Sequence, residues 1–292
     1  MDTQKTAEHY SKQWGSDLNF KGFIEANAEA AKVMPARQLP WGELVEKIRA
    51  KAQDDIVTVY DAACGYGDIL TQLTVDPLPV GLRYVGADIH EALDSIARPP
   101  GAKLIQWDIT RPLPESQKFD YILCRAAIHH TPDPVATFKT LVEQLRPGGT
   151  IAISAYAKKS PMREAVDDAL RNLIIPMSND AAFSTAHQLT ALGRDLQAAG
   201  GMITITEDLP FLGIKAGVYA PQDFVYRYFI KCWYNSAFSE RHCDLVNFDW
   251  YHPQYAFRYE REELRTWAIE ALLTICREAS TDAQHYMQCE LR

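Results

Sequence analysis

The sequence predicts a doubly wound α/β sheet on two observations. Between Ile56 and Tyr156, short apolar segments rich in β-branched and aromatic residues alternate with amphipathic stretches. Three of the first four segments end in an acid, and the first runs into a glycine-rich turn. Strands separated by helical patterns imply parallel βαβ units joined by right-handed crossovers.

The elements follow in order. Ile56-Val57-Thr58-Val59-Tyr60 is the first strand, ending at Asp61-Ala62-Ala63-Cys64-Gly65-Tyr66-Gly67, with a helix starting near Asp68. Arg83 to Asp88 is the second strand, followed by a short helix over Glu91 to Ala97. Lys103 to Asp108 is the third. Tyr121 to Cys124 is the fourth, followed by a helix from Pro134 to Leu145. Arg146-Pro147-Gly148-Gly149 then turns the chain into the fifth strand, Thr150 to Ser154. Such sheets bind ligands beyond the carboxyl ends of their strands, where strand order reverses. That places Asp61 with its glycine turn, Asp88, Asp108 and Arg125-Ala126-Ala127-Ile128-His129-His130 at the expected ligand edge.

Composition narrows the function classes. With roughly 100–200 residues per domain, 292 residues make one large domain, or one carrying an insertion. A chain of this length buries enough surface to hold a core without disulfide or metal. A net charge of −8, with no basic run longer than Lys158-Lys159, argues against nucleic acid, whose binding runs on clustered Lys and Arg. The six cysteines show no C-x-x-C pair, which suits reduced, buried thiols rather than a zinc site, so no metal is expected. His242 and Cys243 are adjacent, but neighbouring side chains of an extended segment point apart. No apolar run approaches the ~20 residues of a membrane helix, and Met1-Asp2-Thr3-Gln4-Lys5 does not open a signal peptide. A soluble, cytoplasmic protein is expected.

The glycine turn admits two cofactors. An acid about 20 residues after the turn can hold a ribose, and Asp88 stands in that place for a nicotinamide or a sulfonium nucleotide alike. The G-x-G-x-x-G register separates them: its third glycine would be residue 70, which is Leu70. Asp68 also sits where a pyrophosphate would meet the helix N-terminus, and would repel it.

Val59-Tyr60-Asp61-Ala62-Ala63-Cys64-Gly65-Tyr66-Gly67 resembles the first motif of class I S-adenosylmethionine-dependent methyltransferases, with Ala63 in place of the first glycine. Asp88, Asp108, Leu145-Arg146-Pro147-Gly148-Gly149 and Ala127-Ile128-His129-His130-Thr131-Pro132-Asp133-Pro134 continue the resemblance, over residues 50–157 and toward small-molecule members. It implies S-adenosylmethionine as cofactor and S-adenosylhomocysteine as product. It implies that Asp61 and the backbone of Ala63, Gly65 and Gly67 hold the methionine part. Asp88 would accept the ribose hydroxyls. Asp108 would accept from the adenine amino group, with Trp107, Ile89 and Ile109 around the ring. Arg125 would meet the cofactor carboxylate. Residues 1–50 would form a helical arm whose Tyr10 and Trp14 close the site, or else a helix packed on the sheet's edge. Turn and cap duty is the competing reading for Asp61 and Asp108, and core packing for Trp107.

The same resemblance implies a seven-stranded sheet, strands 1–5 parallel with a C-terminal antiparallel hairpin. Arg261 to Ala271 would be the last helix, with Leu272 to Cys276 and His285 to Cys289 as the hairpin, so the core is 51–157 with 261–292. Residues 158–260 are then an insertion too long for an unstructured loop. Helical patterns near Met162–Leu173, Ala186–Ala199 and Gln222–Phe238 make it a helical substrate cap. Seven Tyr, five Phe and two Trp crowd Tyr219 to Tyr259. Most are expected to pack the cap's own core. Tyr226, Trp250, Tyr251 and His252 are the candidates to line a pocket for a flat or cationic group, and the aromatic face could instead join two copies as a homodimer.

Methyl transfer is an in-line displacement served largely by positioning. A hydroxyl or protonated-amine acceptor also needs a base, and imidazole titrates in the right range. His129 and His130 are the candidates. An extended chain lets only one of them face the site, and His129 is the one expected there; a histidine capping the next helix or satisfying buried backbone is the competing reading. The chain has Arg125-Ala126-Ala127-Ile128 where enzymes acting on planar amines of nucleic acids or protein amides carry Asn or Asp, Pro, Pro, aromatic. That favours a small-molecule acceptor methylated on oxygen or nitrogen, with carbon ranked lower. An NAD-linked oxidoreductase and a cofactor-binding, non-catalytic partner subunit are the rival readings.

Overall fold

The computed structural model describes residues 3–14, 39–75, 79–91, 93, 96, 98–114 and 117–292, with side chains described from residue 4 to 11 in the first segment. Two compact units form the chain. The first holds the described residues up to Ala157 together with Phe257–Arg292, and the second is Lys158–Ala256.

In the first unit, helices α1 (Thr3–Trp14) and α2 (Trp41–Asp54) precede β1 (Val57–Ala62). Next come α3 (Asp68–Leu73), β2 (Leu82–Asp88), β3 (Ala102–Gln106) and β4 (Phe119–Cys124). A 3-10 turn (Ile128–His130), α4 (Pro134–Val142) and β5 (Leu145–Tyr156) complete the N-terminal part. Among the described residues the sheet has seven strands in the order β3-β2-β1-β4-β5-β9-β8. Strands β1 to β5 pair in parallel, while β9 runs antiparallel to β5 and to β8. Order reverses between β1 and β4, so the ends of those two strands flank the crevice where such sheets take ligands.

All six residues of β1 are buried, as expected of a strand covered on both faces. On one face Trp41, Leu44, Val45 and Ile48 of α2 pack with Ile69, Leu70 and Leu73 of α3. On the other lie Phe138, Leu141 and Val142 of α4 with Leu264, Trp267 and Ala268 of a C-terminal helix. Each fully buried Leu or Phe contributes about 1.5–3 kcal/mol. Asp133 begins α4 as an N-cap, accepting from Ala136 N, with Pro134 at the first helical position.

The second unit is mostly helical. It contains α5 (Pro161–Ile174), α6 (Asn179–Ala199), the small hairpin β6 (Ile203–Ile205) and β7 (Gly217–Tyr219), α7 (Pro221–Tyr228) and α8 (Glu240–Tyr251). Helix α9 (Arg261–Glu270) returns the chain to the first unit, and β8 (Leu273–Ser280) and β9 (Gln284–Leu291) follow. A capping box of Glu260 and Glu263 starts α9.

The structure corrects several boundaries. Strand β3 stops at Gln106, leaving Trp107 and Asp108 in the following loop. The predicted turn at Arg146–Gly149 is an irregular opening of β5: Leu145 pairs with Phe119, and the next pairs begin at Thr150 with Tyr121. The helix expected over 222–238 ends at Tyr228, and α8 and the β6–β7 hairpin were not foreseen. Ser239 starts α8 by accepting from His242 N. Residues 257–260 belong with the first unit, where Phe257 N donates to His129 O and Tyr259 N to Tyr156 O. The short helix expected over 91–97 falls partly outside the described residues; Glu91 and Leu93 take 3-10 conformation.

Candidate active site

The turn after β1 takes a conformation L-residues resist. Ala63, Gly65 and Gly67 all have positive φ, at 65°, 51° and 75°. Glycine adopts this region freely, whereas Ala63 bears a steric cost there. Cys64 N donates to Ala87 O, Gly65 N to Asp88 Oδ2 at 2.8 Å, and Gly65 O lies 3.0 Å from His90 Nε2. The turn is therefore clamped to the end of β2 rather than left as a free loop.

Asp61 is buried, and its Oδ2 accepts from Tyr84 OH at 2.6 Å. Burial pushes its carboxyl up to about 7, against the Tyr84 hydrogen bond and the Arg125 charge, which pull it down. Tyr84 reaches Asp61 because Gly86 stands opposite Asp61 in the β1–β2 ladder. A Cβ at Gly86 would meet Tyr84 Cε1 at 2.9 Å.

Asp88 is also buried. Its Oδ2 accepts from Gly65 N, and its Oδ1 lies 3.3 Å from the donating His90 N. A carboxylate offers about four acceptor sites, so Asp88 keeps acceptor capacity for a ligand. Asp108 makes a turn, its Oδ1 accepting from Thr110 N at 3.0 Å and Thr110 Oγ1 at 2.8 Å. It also lines a cavity of about 300 Å³ with Ile89, Gln106, Trp107, Arg111 and, from α1, Gln4 and Ala7. Turn duty and an inward-facing position coexist in one residue. Trp107 is half-buried and its Nε1 donates to Arg111 O, while Ile109 lies in the apolar core rather than at the cavity.

Beyond β4, Arg125 pairs with Asp68 at the start of α3, and Ala126, with φ 53°, donates its N–H to Ser154 Oγ. The segment is not extended through the histidines. Ile128–His130 form a 3-10 turn, so His129 and His130 are both buried. The His129 ring stands 3.8 Å from Tyr156 and 4.2 Å from His130 between centroids, and Tyr10 of α1 packs edge-on to His130. The Trp14 side chain lies outside the described residues.

The four substrate candidates sit in the second unit. Trp250 Nε1 and Tyr251 OH both donate to Asp167, and burial pushes the Tyr251 hydroxyl up. His252 Nε2 lies 3.2 Å from Met177 O, with its ring stacked on Phe248. The Tyr226 carbonyl accepts from Arg163, whose guanidinium lies over the Tyr226 ring. Trp250 and Tyr251 thus take part in a buried polar network of that unit.

Sequence reasoning missed Tyr84, His90, Ser154 and the α1 residues at the cavity. A glycine inside a strand signals close approach of other atoms, and Gly86 carried that signal for Tyr84. The others act through contacts that only the folded chain creates.

These features form a candidate crevice for a nucleotide-type cofactor. Two buried strand-end acids frame the turn, and a third acid lies in the cavity with an aromatic ring. These acceptors fit a ribose, an adenine amino group and a cationic methionine head. The chain belongs to the methyltransferase-domain family, whose model matches residues 35–202. The matched family is that of a methyltransferase domain rather than of a nicotinamide-dependent oxidoreductase. The chain is 30% identical over 173 residues to phosphoethanolamine N-methyltransferase 1 of Zea mays, covering 57% of this chain and 32% of that protein. It thus spans about a third of that relative's length. Among solved structures, 1,6-didemethyltoxoflavin-N1-methyltransferase of Burkholderia thailandensis with S-adenosylhomocysteine aligns at TM-score 0.42 and 12% identity, covering 94% and 88% of the two chains. A methyltransferase of Haloferax volcanii in complex with the Trm112 activator aligns at 0.45 and 14%, covering 91% and 95%. Among the described residues, no helix is long and apolar enough to cross a membrane.

Proposed function

We propose that the protein methylates an oxygen or nitrogen of a small-molecule acceptor. Carbon ranks below both. The observation that carries this reading is that three features share the first unit: the clamped glycine turn, the acids Asp61, Asp88 and Asp108, and the ring group of half-buried Tyr10 with buried His129, His130 and Tyr156. The net charge of −8 and the Arg125-Ala126-Ala127-Ile128 sequence support a small acceptor over nucleic acid. The maize relative, named for methylation of the nitrogen of phosphoethanolamine, supports the same class.

In this reading Asp88 holds the ribose, while Asp108, Trp107 and Ile89 hold the adenine. The glycine turn, Asp61 and Arg125 hold the methionine end. The bound sulfonium supplies an electrophilic methyl carbon with a neutral thioether as leaving group. Helix α1 closes the site, since Gln4, Ala7 and Tyr10 come from one short arm. Closure excludes water, which favours a reaction that disperses charge. His129 takes the acceptor's proton, its ring held by Tyr156.

The test is a labelled-methyl assay with panels of small amines, phenols and carboxylic acids beside DNA, RNA and protein. Label in a small molecule is the expected result. Label confined to a macromolecule overturns the proposal.

A further inference from the structure

Val59 and Asp61 of β1 stand opposite Tyr84 and Gly86 of β2 in the parallel ladder. Residues two apart in a strand share a face, so these four lie on one side of the sheet, the side that α2 and α3 cover. Gly86 leaves the space that the Tyr84 ring uses to reach Asp61: a Cβ there would meet Tyr84 Cε1 at 2.9 Å and Cys64 Sγ at 3.0 Å. Tyr84 and Asp61 are each 1% exposed, and the hydroxyl donates to Asp61 Oδ2 at 2.6 Å. The bond ties β2 to the residue two places before Ala63, where the positive-φ turn begins.

The charged groups acting on Asp61 come from three elements: Asp88 ending β2, Asp68 at the start of α3, and Arg125 beyond β4. Arg125 is shared with Asp68, so this corner of the crevice holds more acid than base. Tyr60 of β1, Cys64 of the turn and Cys124 ending β4 are the other titratable groups around Asp61, and burial pushes all three upward, which keeps them neutral. A hydrogen bond from a neutral donor stabilises a carboxylate against its neutral form. The Tyr84 hydroxyl thus favours the charged state of an acid that burial disfavours.

We propose that Tyr84 is a positioning residue for cofactor binding, its hydroxyl holding the Asp61 carboxylate in place as the anion that receives the ammonium of the methionine part. The proposal rests on the reading that Asp61 meets that end of the cofactor. Burial raises the Asp61 carboxyl to about 7, the Tyr84 hydrogen bond and Arg125 lower it, and Asp68 and Asp88 raise it. The Tyr84 hydroxyl is held well above its usual range, first by burial and then by the Asp61 charge, so it remains a donor. Protonated Asp61 offers an ammonium no charge, so affinity falls as pH drops through the Asp61 titration. Without the hydroxyl the anion loses a hydrogen bond, and that titration moves upward.

The test is calorimetric titration of the full chain with S-adenosylhomocysteine, which carries the same ammonium, from about pH 6 to about pH 9. Wild-type affinity should fall toward the acid end. In Tyr84→Phe the fall should begin about one pH unit higher, giving roughly tenfold weaker binding than wild type near pH ~6 and equal binding near pH ~9. Groups common to both proteins cancel in that comparison. In an Asp61→Asn background the fall should flatten, and adding Tyr84→Phe should change affinity by less than about twofold, because the hydroxyl then serves no anion. Replacing Tyr84 by 3-fluorotyrosine, a more acidic donor of nearly the same size, should move the profile the other way, and this variant decides the matter if Tyr84→Phe does not fold. A loss equal at every pH that persists in Asp61→Asn overturns the proposal and makes Tyr84 a packing residue. Absence of S-adenosylhomocysteine binding to the wild type overturns the cofactor reading and this proposal with it; binding with coincident profiles overturns this proposal alone.

Discussion

Gly65 donates its backbone N–H to Asp88 Oδ2 at 2.8 Å, so the turn after β1 and the acid ending β2 behave as one structural piece. Removing the carboxylate therefore releases the turn and, in the proposed reading, also deletes the ribose acceptor. Asp88→Ala is expected to weaken S-adenosylmethionine binding by about 1.5–3 kcal/mol, the worth of hydrogen bonds to a charged group. Calorimetry on the variant checks this, and unchanged affinity would remove Asp88 from the site.

Ala63 occupies a glycine's conformation at φ 65°. The left-handed region costs an L-residue about 1–2 kcal/mol, partly offset by the greater unfolded-state freedom of glycine. Ala63→Gly should stabilise the free protein by about 1 kcal/mol, read as a higher midpoint in thermal or urea unfolding. A lower midpoint would mean that the methyl group packs favourably enough to outweigh the strain.

Asp61 titrates upward, to about 7, because it is buried. Its folded value exceeds the unfolded ~3.9, so the native state binds the proton more tightly. The stability this adds is complete below pH ~3.9 and is lost as pH rises through about 7. The difference in unfolding free energy between wild type and Asp61→Asn should therefore fall from pH 4 to pH 7. Parallel urea curves for the two proteins across that range would contradict it.

His129 has its ring 3.8 Å from Tyr156 inside a 3-10 turn. If it acts as base, His129→Ala lowers turnover with little change in cofactor affinity. Normal turnover with a lowered unfolding midpoint would leave packing as its role.

The strands and the acids at their ends were legible because they are local. Alternation of apolar runs with amphipathic stretches marks β1 to β5, and an acid at a strand end is visible without a structure. What escaped depends on distance or on uniform composition. In α8, buried residues lie on several sides, including Asp244, Asn247, Phe248, Trp250 and Tyr251. A helix of that kind shows little apolar periodicity to mark it. Tyr84 on Asp61 and His90 on Gly65 join residues far apart in sequence. The 3-10 turn at Ile128–His130 is too short to carry a periodic signal. The cations gathered on Trp250 were invisible for a similar reason: Lys159, Arg163 and Lys231 look like ordinary surface charges until packing places them on one ring.

The measurement that most directly tests the central claim is calorimetric titration of one preparation with S-adenosylmethionine, S-adenosylhomocysteine and NAD. The account predicts micromolar binding of the first two and none of NAD. Tight binding of NAD with neither of the others would contradict it.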